Sequence, residues 1–385
     1  MKPTIYLAFV DDWELSGNGS GDARELQFEP MRELVKIYNA HGVRGSFNAE
    51  VMQQLTFRRF ERDYPELKTL ADEWDAVVLE TYAQGHDIQL HIHPQWHDAQ
   101  YESGHWRLTS DWSILNYDAD AAFQMIKAGK EYLENLLRAV DADYACVSFR
   151  SGSWCIAPSP HLLSLLVKLG ITFDMSIVGG VRYETKNINL DYTNCDEDFL
   201  PYYPVMTDAR KVSDKQEPII CIPTNHFYGS RRQVFKHHLG KALLKVKQRV
   251  APAASATASK PSGRSREAYG HEWAQTRHAS LLARVYEKGI VPYLKGKHLI
   301  SDIAQLDYAL LREMLASIRK RARASGLGQI PVILENHTKD VRDFSDIERF
   351  IKDVSQASDI KCLTLSELAR ELRGGRFQIR KAEPS

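Results

Sequence analysis

Cysteine is scarce in this chain: five residues (Cys146, Cys155, Cys195, Cys221 and Cys362) among 385, odd in number and with no CxxC pair. That pattern argues against a cysteine-ligated zinc site and a disulfide framework, and it suits a reducing compartment in which the thiols serve as small buried hydrophobes. Long apolar runs are missing too. The stretch from Met1 to Asp12 has only a short apolar core before two aspartates, too brief for a secretion signal or a membrane span, so the expected location is the cytoplasm. No charge of one sign dominates, since 50 Lys+Arg balance 50 Asp+Glu, which argues against a globally basic nucleic-acid binder. A dinucleotide fingerprint is also lacking: Gly17-Asn-Gly-Ser-Gly21 does not have G-x-G-x-x-G spacing and sits beside two carboxylates that would repel phosphate.

What is present is alternation. Short apolar runs followed by amphipathic segments repeat through the first half of the chain, the signature of βα units in a mostly parallel sheet or barrel. Ile5 to Phe9, Val43 to Asn48, Asp87 to His91, Ala145 to Phe149, Ile171 to Met175 and Ile219 to Ile222 read as strands. Helices are expected after Pro30, where Met31, Leu34, Val35 and Tyr38 recur at helical spacing, and over Leu67 to Val78, Ala122 to Leu137 and Leu162 to Leu169. The pattern fails over residues 179–328, which read as a long helical insertion. Within it Ala251 to Ser265 is Ala/Ser/Pro-rich and reads as a mobile linker, while the basic stretch Arg231 to Arg249, with His237 and His238, reads as a solvated helix face that could touch an anionic lipid surface or glycan. The alternation resumes with a strand over Pro331 to Leu334, a helix over Phe344 to Val354, a strand over Lys361 to Leu363 and a last helix opened by Thr364 or Ser366. The expected organisation is therefore 1–178 and 329–373 as two parts of one barrel, 179–328 inserted, and 374–385 as a tail.

Polar residues fitted for chemistry follow five of these strands. Asp11 and Asp12 follow the first, and the pair suits one metal ligand and one base held side by side as well as a plain turn. His86, His91, His93 and His97 cluster in Gly85-His-Asp-Ile-Gln-Leu-His-Ile-His-Pro-Gln-Trp-His97. On a strand His91 and His93 point the same way, so both could bind one cation, with His97 the competing ligand. Arg150 in Phe149-Arg-Ser-Gly-Ser-Trp154 is a strand arginine that needs a carboxylate partner such as Asp11, and Asp174 could orient His337. In a βα barrel the loops at the strands' C-terminal ends share one face, which lets these distant positions converge.

In this order the motifs resemble the polysaccharide deacetylase family, also called the NodB-homology or carbohydrate esterase 4 family, over about residues 4–178 and 330–372. The resemblance implies a distorted (β/α) barrel and a carbohydrate de-N-acetylase. It implies Asp11 as general base, Asp12, His91 and His93 as ligands of one divalent metal such as zinc, Arg150 as holder of the base, Asp174 as the carboxylate tuning the histidine, and His337 as general acid. The sequence departs from the family pattern at Gln95, where a histidine is usual, so the ligands are either His91 with His93 or His93 with His97. The motif around Arg150 lacks the usual proline, and no tryptophan follows Asp174 at the familiar spacing. His-Ile-His-Pro with Arg-Ser-Gly-Ser-Trp looks more like the intracellular branch associated with surface-polysaccharide and O-antigen biosynthesis than like secreted chitin or peptidoglycan deacetylases. The alternatives are hydrolysis of a small non-sugar amide on the same fold and a carbohydrate-binding homologue without catalysis.

Overall fold

The computed structural model describes residues 2–108, 110–185, 188–195, 200–237, 297–341 and 343–383. Its centre is an eight-stranded sheet. The strands are β1 (Thr4–Trp13), β2 (Ser46–Glu50), β3 (Asp87–Ile92), β4 (Ser148–Ser151), β5 (Phe173–Asp174), β6 (Ile220–Cys221), β7 (Gln329–His337) and β8 (Ile360–Cys362). Their order is β6-β5-β4-β3-β2-β1-β7, and every pairing is parallel. β8 lies along Ile5–Leu7 of β1, ahead of the point where β2 joins at Val10. Just beyond β6, Thr224 bridges Ile333 of β7, and the Asn225 N–H donates to the Ile333 carbonyl at 3.0 Å. The sheet therefore curls almost into a ring, a distorted (β/α) barrel of mixed α/β class, as the alternation of the sequence predicts.

Helices α1 (Glu29–Ala40), α2 (Val51–Phe60), α3 (Pro65–Ala83), α4 (Ala119–Arg138), α5 (Leu162–Lys168), α6 (Tyr308–Ala324), α7 (Ser345–Ser355) and α8 (Leu365–Arg373) accompany the sheet. Local chemistry sets their ends. Pro30 lies in the first turn of α1, and Thr364 and Glu367 form a reciprocal capping box on α8. Gly170 stops α5 at φ +79°, where its N–H and that of Ile171 reach back to Val167 and Leu166. The segment 179–328 is not wholly peripheral, because it supplies both β6 and α6. The linker expected at 251–265 and most of the basic stretch 231–249 lie outside the described residues. Among those described, no helix is long and apolar enough to cross a membrane.

Period-two alternation divides the side chains between two cores. From β1, Ile5, Leu7, Phe9 and Trp13 join the large core between sheet and helices, while Tyr6, Ala8 and Val10 face the barrel interior with Phe173, Met175, Ile222 and Ile333. Leu365, Leu368, Ala369 and Leu372 of α8 pack into this interior cluster and fill its lower part. Each such leucine removed from water is worth about 1.5–3 kcal/mol. At the other end of the strands the interior becomes polar.

Candidate active site

β1 does not stop at Phe9. It runs four residues further, to Trp13, whose ring packs 5.0 Å from Trp74 and whose indole N–H donates to the Gln27 carbonyl at 2.9 Å. Because Trp13 is pinned on the helix side, Asp12 and Glu14 turn into the barrel and Asp11 turns out of it. The sequence expectation of Asp11 and Asp12 side by side is thus not met. Asp11 takes hydrogen bonds from the Asn336 amide at 2.5 Å and the Tyr38 hydroxyl at 3.4 Å. Burial there pushes its pKa up to about 8 against the lowering effect of Asn336. Nor does it meet Arg150.

Inside the barrel, His91 and His93 on β3 and just past its end bring their Nε2 atoms to 3.0 Å from each other. Glu14 Oε2 contacts both, at 3.2 Å from His91 and closer to His93. These three buried residues can place one ligand atom each around a single ion. The His91 Nδ1 lies 2.8 Å from the Arg150 carbonyl, so its proton sits on Nδ1 and Nε2 carries the lone pair. The His93 Nδ1 lies 2.8 Å from the Gln95 amide nitrogen, which also donates to the Gly17 carbonyl at 3.3 Å. Burial, and then the neighbouring His91, lowers the His93 pKa to about 4, keeping the neutral form that a metal requires. The donor set fits a divalent cation: two imidazoles and a carboxylate, buried, with the His91 ring proton held on its far nitrogen. His97 is remote from this set, its half-exposed ring 3.9 Å from Asp98, and His86 is a buried acceptor for the Gly45 N–H at 3.1 Å.

A second group faces this one. β7 presents Glu335 and His337 to the interior, in register with Val10 and Asp12 of β1. His337 Nδ1 lies 3.0 Å from Asp302 Oδ2, and its Nε2 lies 3.7 Å from Asp12 Oδ2 and 3.9 Å from Glu14 Oε1. Burial would lower the pKa of His337, but Asp302, Glu335 and Asp12 together hold it well above its ordinary value. Arg150 is fully buried; its Nη1 donates to Glu335 at 2.6 Å, and its Nε is 3.5 Å from Asp12. For Asp12, burial opposes ionisation, yet Arg150, His91, His337 and the Asn48 amide at 2.8 Å outweigh it and hold the pKa near 2. Trp154, in the left-handed region at φ +57°, donates its indole N–H to Glu335 at 3.0 Å and stacks on Tyr183.

Asp174 is on β5 but points out of the barrel, where Ser176 donates to both carboxylate oxygens at 2.7 and 3.0 Å. The carboxylate beside His337 is Asp302. Sequence reasoning passed over Asp302 because it falls in the stretch without periodicity, and over Glu335 and Lys339 although both continue the alternation of His337. Glu14 was legible in principle, two places beyond Asp12, once the strand runs through Trp13.

No family model and no curated protein matches the chain. Among solved structures, a GH57-type branching enzyme from Pyrococcus horikoshii aligns with a TM-score of 0.50 at 13% identity, over 100% of this chain and 72% of that one. The likeness is one of fold. A protein described as a polysaccharide deacetylase from Mycobacterium smegmatis aligns at 0.49 and 13% identity, over 100% and 96% of the two chains. One described as a polysaccharide deacetylase involved in O-antigen biosynthesis, from Bordetella bronchiseptica, aligns at 0.23 and 15%, over 58% and 57%.

Proposed function

We propose that the chain is a metal-dependent hydrolase of the polysaccharide deacetylase kind, removing an acetyl group from the amide nitrogen of an N-acetylated sugar in the cytoplasm. The observation that carries this reading is the pairing of two sets in one polar barrel end: Glu14, His91 and His93 converge on one point, and the His337–Asp302 pair faces them. His91, His93 and Glu14 are the proposed ligands, with Glu14 in the part first assigned to Asp12. A divalent cation such as zinc, when bound there, would polarise the acyl carbonyl and acidify water.

Asp12 is the proposed general base. Arg150 and Asn48 hold it as a carboxylate, so it is ready to take a proton from the attacking water. His337 is the proposed general acid: held protonated by Asp302 and Glu335, it can donate from Nε2 to the departing amine, which as an anion would be too poor a leaving group. Glu335 keeps Arg150 and Trp154 in position. The test is metal analysis together with acetate release from a panel of N-acetylated nucleotide sugars and glycans. Metal-dependent acetate release is the expected result; a chain that binds no divalent cation, or binds one and releases no acetate from any member, refutes the proposal.

A further inference from the structure

The function just proposed leaves one buried charge at the site without a part. Lys339 follows Glu335 and His337 in the same alternation, carried into the short turn Thr338–Asp340, and its side chain is only 7% exposed. Its ammonium is paired with Glu14 Oε1, the oxygen turned away from the two histidines. Burying an ammonium costs several kcal/mol before its partner compensates, and removing it alone would leave Glu14 with an unpaired buried charge. Arg150, the other buried cation nearby, is already matched to Glu335 and Asp12. A single carboxylate thus separates the ammonium from the two imidazoles, and the same Oε1 lies 3.9 Å from His337 Nε2. Through that oxygen the ammonium lies beside the gap between the imidazoles and His337.

We propose that Lys339 is a further catalytic group: its ammonium hydrogen-bonds the acyl oxygen as that oxygen gains negative charge. This rests on the hydrolase reading above. Water adds through oxygen to the acyl carbon and gives a proton to Asp12, while the carbonyl π pair moves onto the acyl oxygen beside Lys339. Lys339 keeps its own proton. When the pair returns, the C–N bond breaks and the nitrogen takes its proton from His337, giving a carboxylic acid and an amine. A fixed positive donor aimed at such an oxygen stabilises the transition state more than the ground state.

The experiment compares wild type, Lys339→Met, Lys339→Gln and His337→Ala on an N-acetylated aminosugar and on an aryl acetate, with zinc titration and thermal melting for each. An oxyanion forms on both substrates, but only the amide needs a leaving-group acid. Both lysine variants should therefore lose about 10²- to 10³-fold in kcat on amide and ester alike, with KM and zinc affinity near wild type. His337→Ala should spare the ester. Lysine variants with near wild-type kcat overturn the assignment. Lysine variants that lose zinc also overturn it, since Lys339 would then only hold Glu14 in place. If Lys339→Met does not fold, Lys339→Gln, which keeps a hydrogen-bond donor, decides on the same readouts. A wild type inactive on both substrates defeats the hydrolase reading itself, and this assignment with it.

Discussion

Asp11→Asn separates a buried structural carboxyl from a catalytic one. Asp11 points out of the barrel against Tyr38 and Asn336, and burial raises its pKa from 3.8 to about 8. A carboxyl whose folded pKa lies above its unfolded value favours the folded state while protonated. Its contribution is fully present below pH 4 and is lost as pH rises towards 8. One pKa unit corresponds to about 1.4 kcal/mol, so wild type should lose on the order of 4 kcal/mol between pH 4 and pH 7 from this group. An amide does not titrate, and its oxygen can still accept from the Asn336 amide. Asp11→Asn should therefore gain on wild type by about 1.4 kcal/mol per pH unit up to about pH 8, and stay level above it. Urea unfolding at half-unit steps from pH 5 to pH 9 measures this directly, and acetate release at neutral pH should remain within a few-fold of wild type. Parallel stability curves would refute the burial argument. A loss of 10²- to 10⁴-fold in turnover with metal retained would make Asp11 the base after all.

Two further outcomes test the roles inside the barrel. Equilibrium dialysis against zinc should find Glu14→Gln and His93→Ala depleted, whereas Asp12→Asn should keep the ion and lose about 10²- to 10⁴-fold in turnover; the reverse pattern would restore Asp12 as the ligand. Asp302→Asn removes the carboxylate 3.0 Å from His337 Nδ1, so the acid should lose its proton at lower pH and the alkaline limb of the kcat profile should move down. An unmoved limb would show that Asp302 does not set the protonation of His337.

The barrel was legible because βα alternation is a local property: an apolar run and a 3.6-residue stripe each declare themselves within about ten residues. Asp302 had no such signal. It reaches His337 because the Ser301 N–H donates to the Asn225 carbonyl at 3.0 Å and the Ser301 hydroxyl receives the Glu335 N–H at 3.2 Å, contacts spanning 76 and 34 residues along the chain. No short window of sequence encodes a meeting of that range.

The misplacement of Asp11 has a more general cause. Neighbours on a strand face opposite sides, so an adjacent pair such as Asp11 and Asp12 can share a site only if the strand ends between or before them. That boundary depended on where Trp13 finds its pocket, against Trp74 and Phe28, which is a tertiary fact. Residues two apart carry no such dependence while the strand continues: His91 with His93, Glu335 with His337, and Asp12 with Glu14 each face one side together. All three of these i, i+2 pairs meet in the barrel interior, whereas the one adjacent pair is divided. For a site at the ends of parallel strands, alternate polar residues therefore constrain the geometry more tightly than consecutive ones.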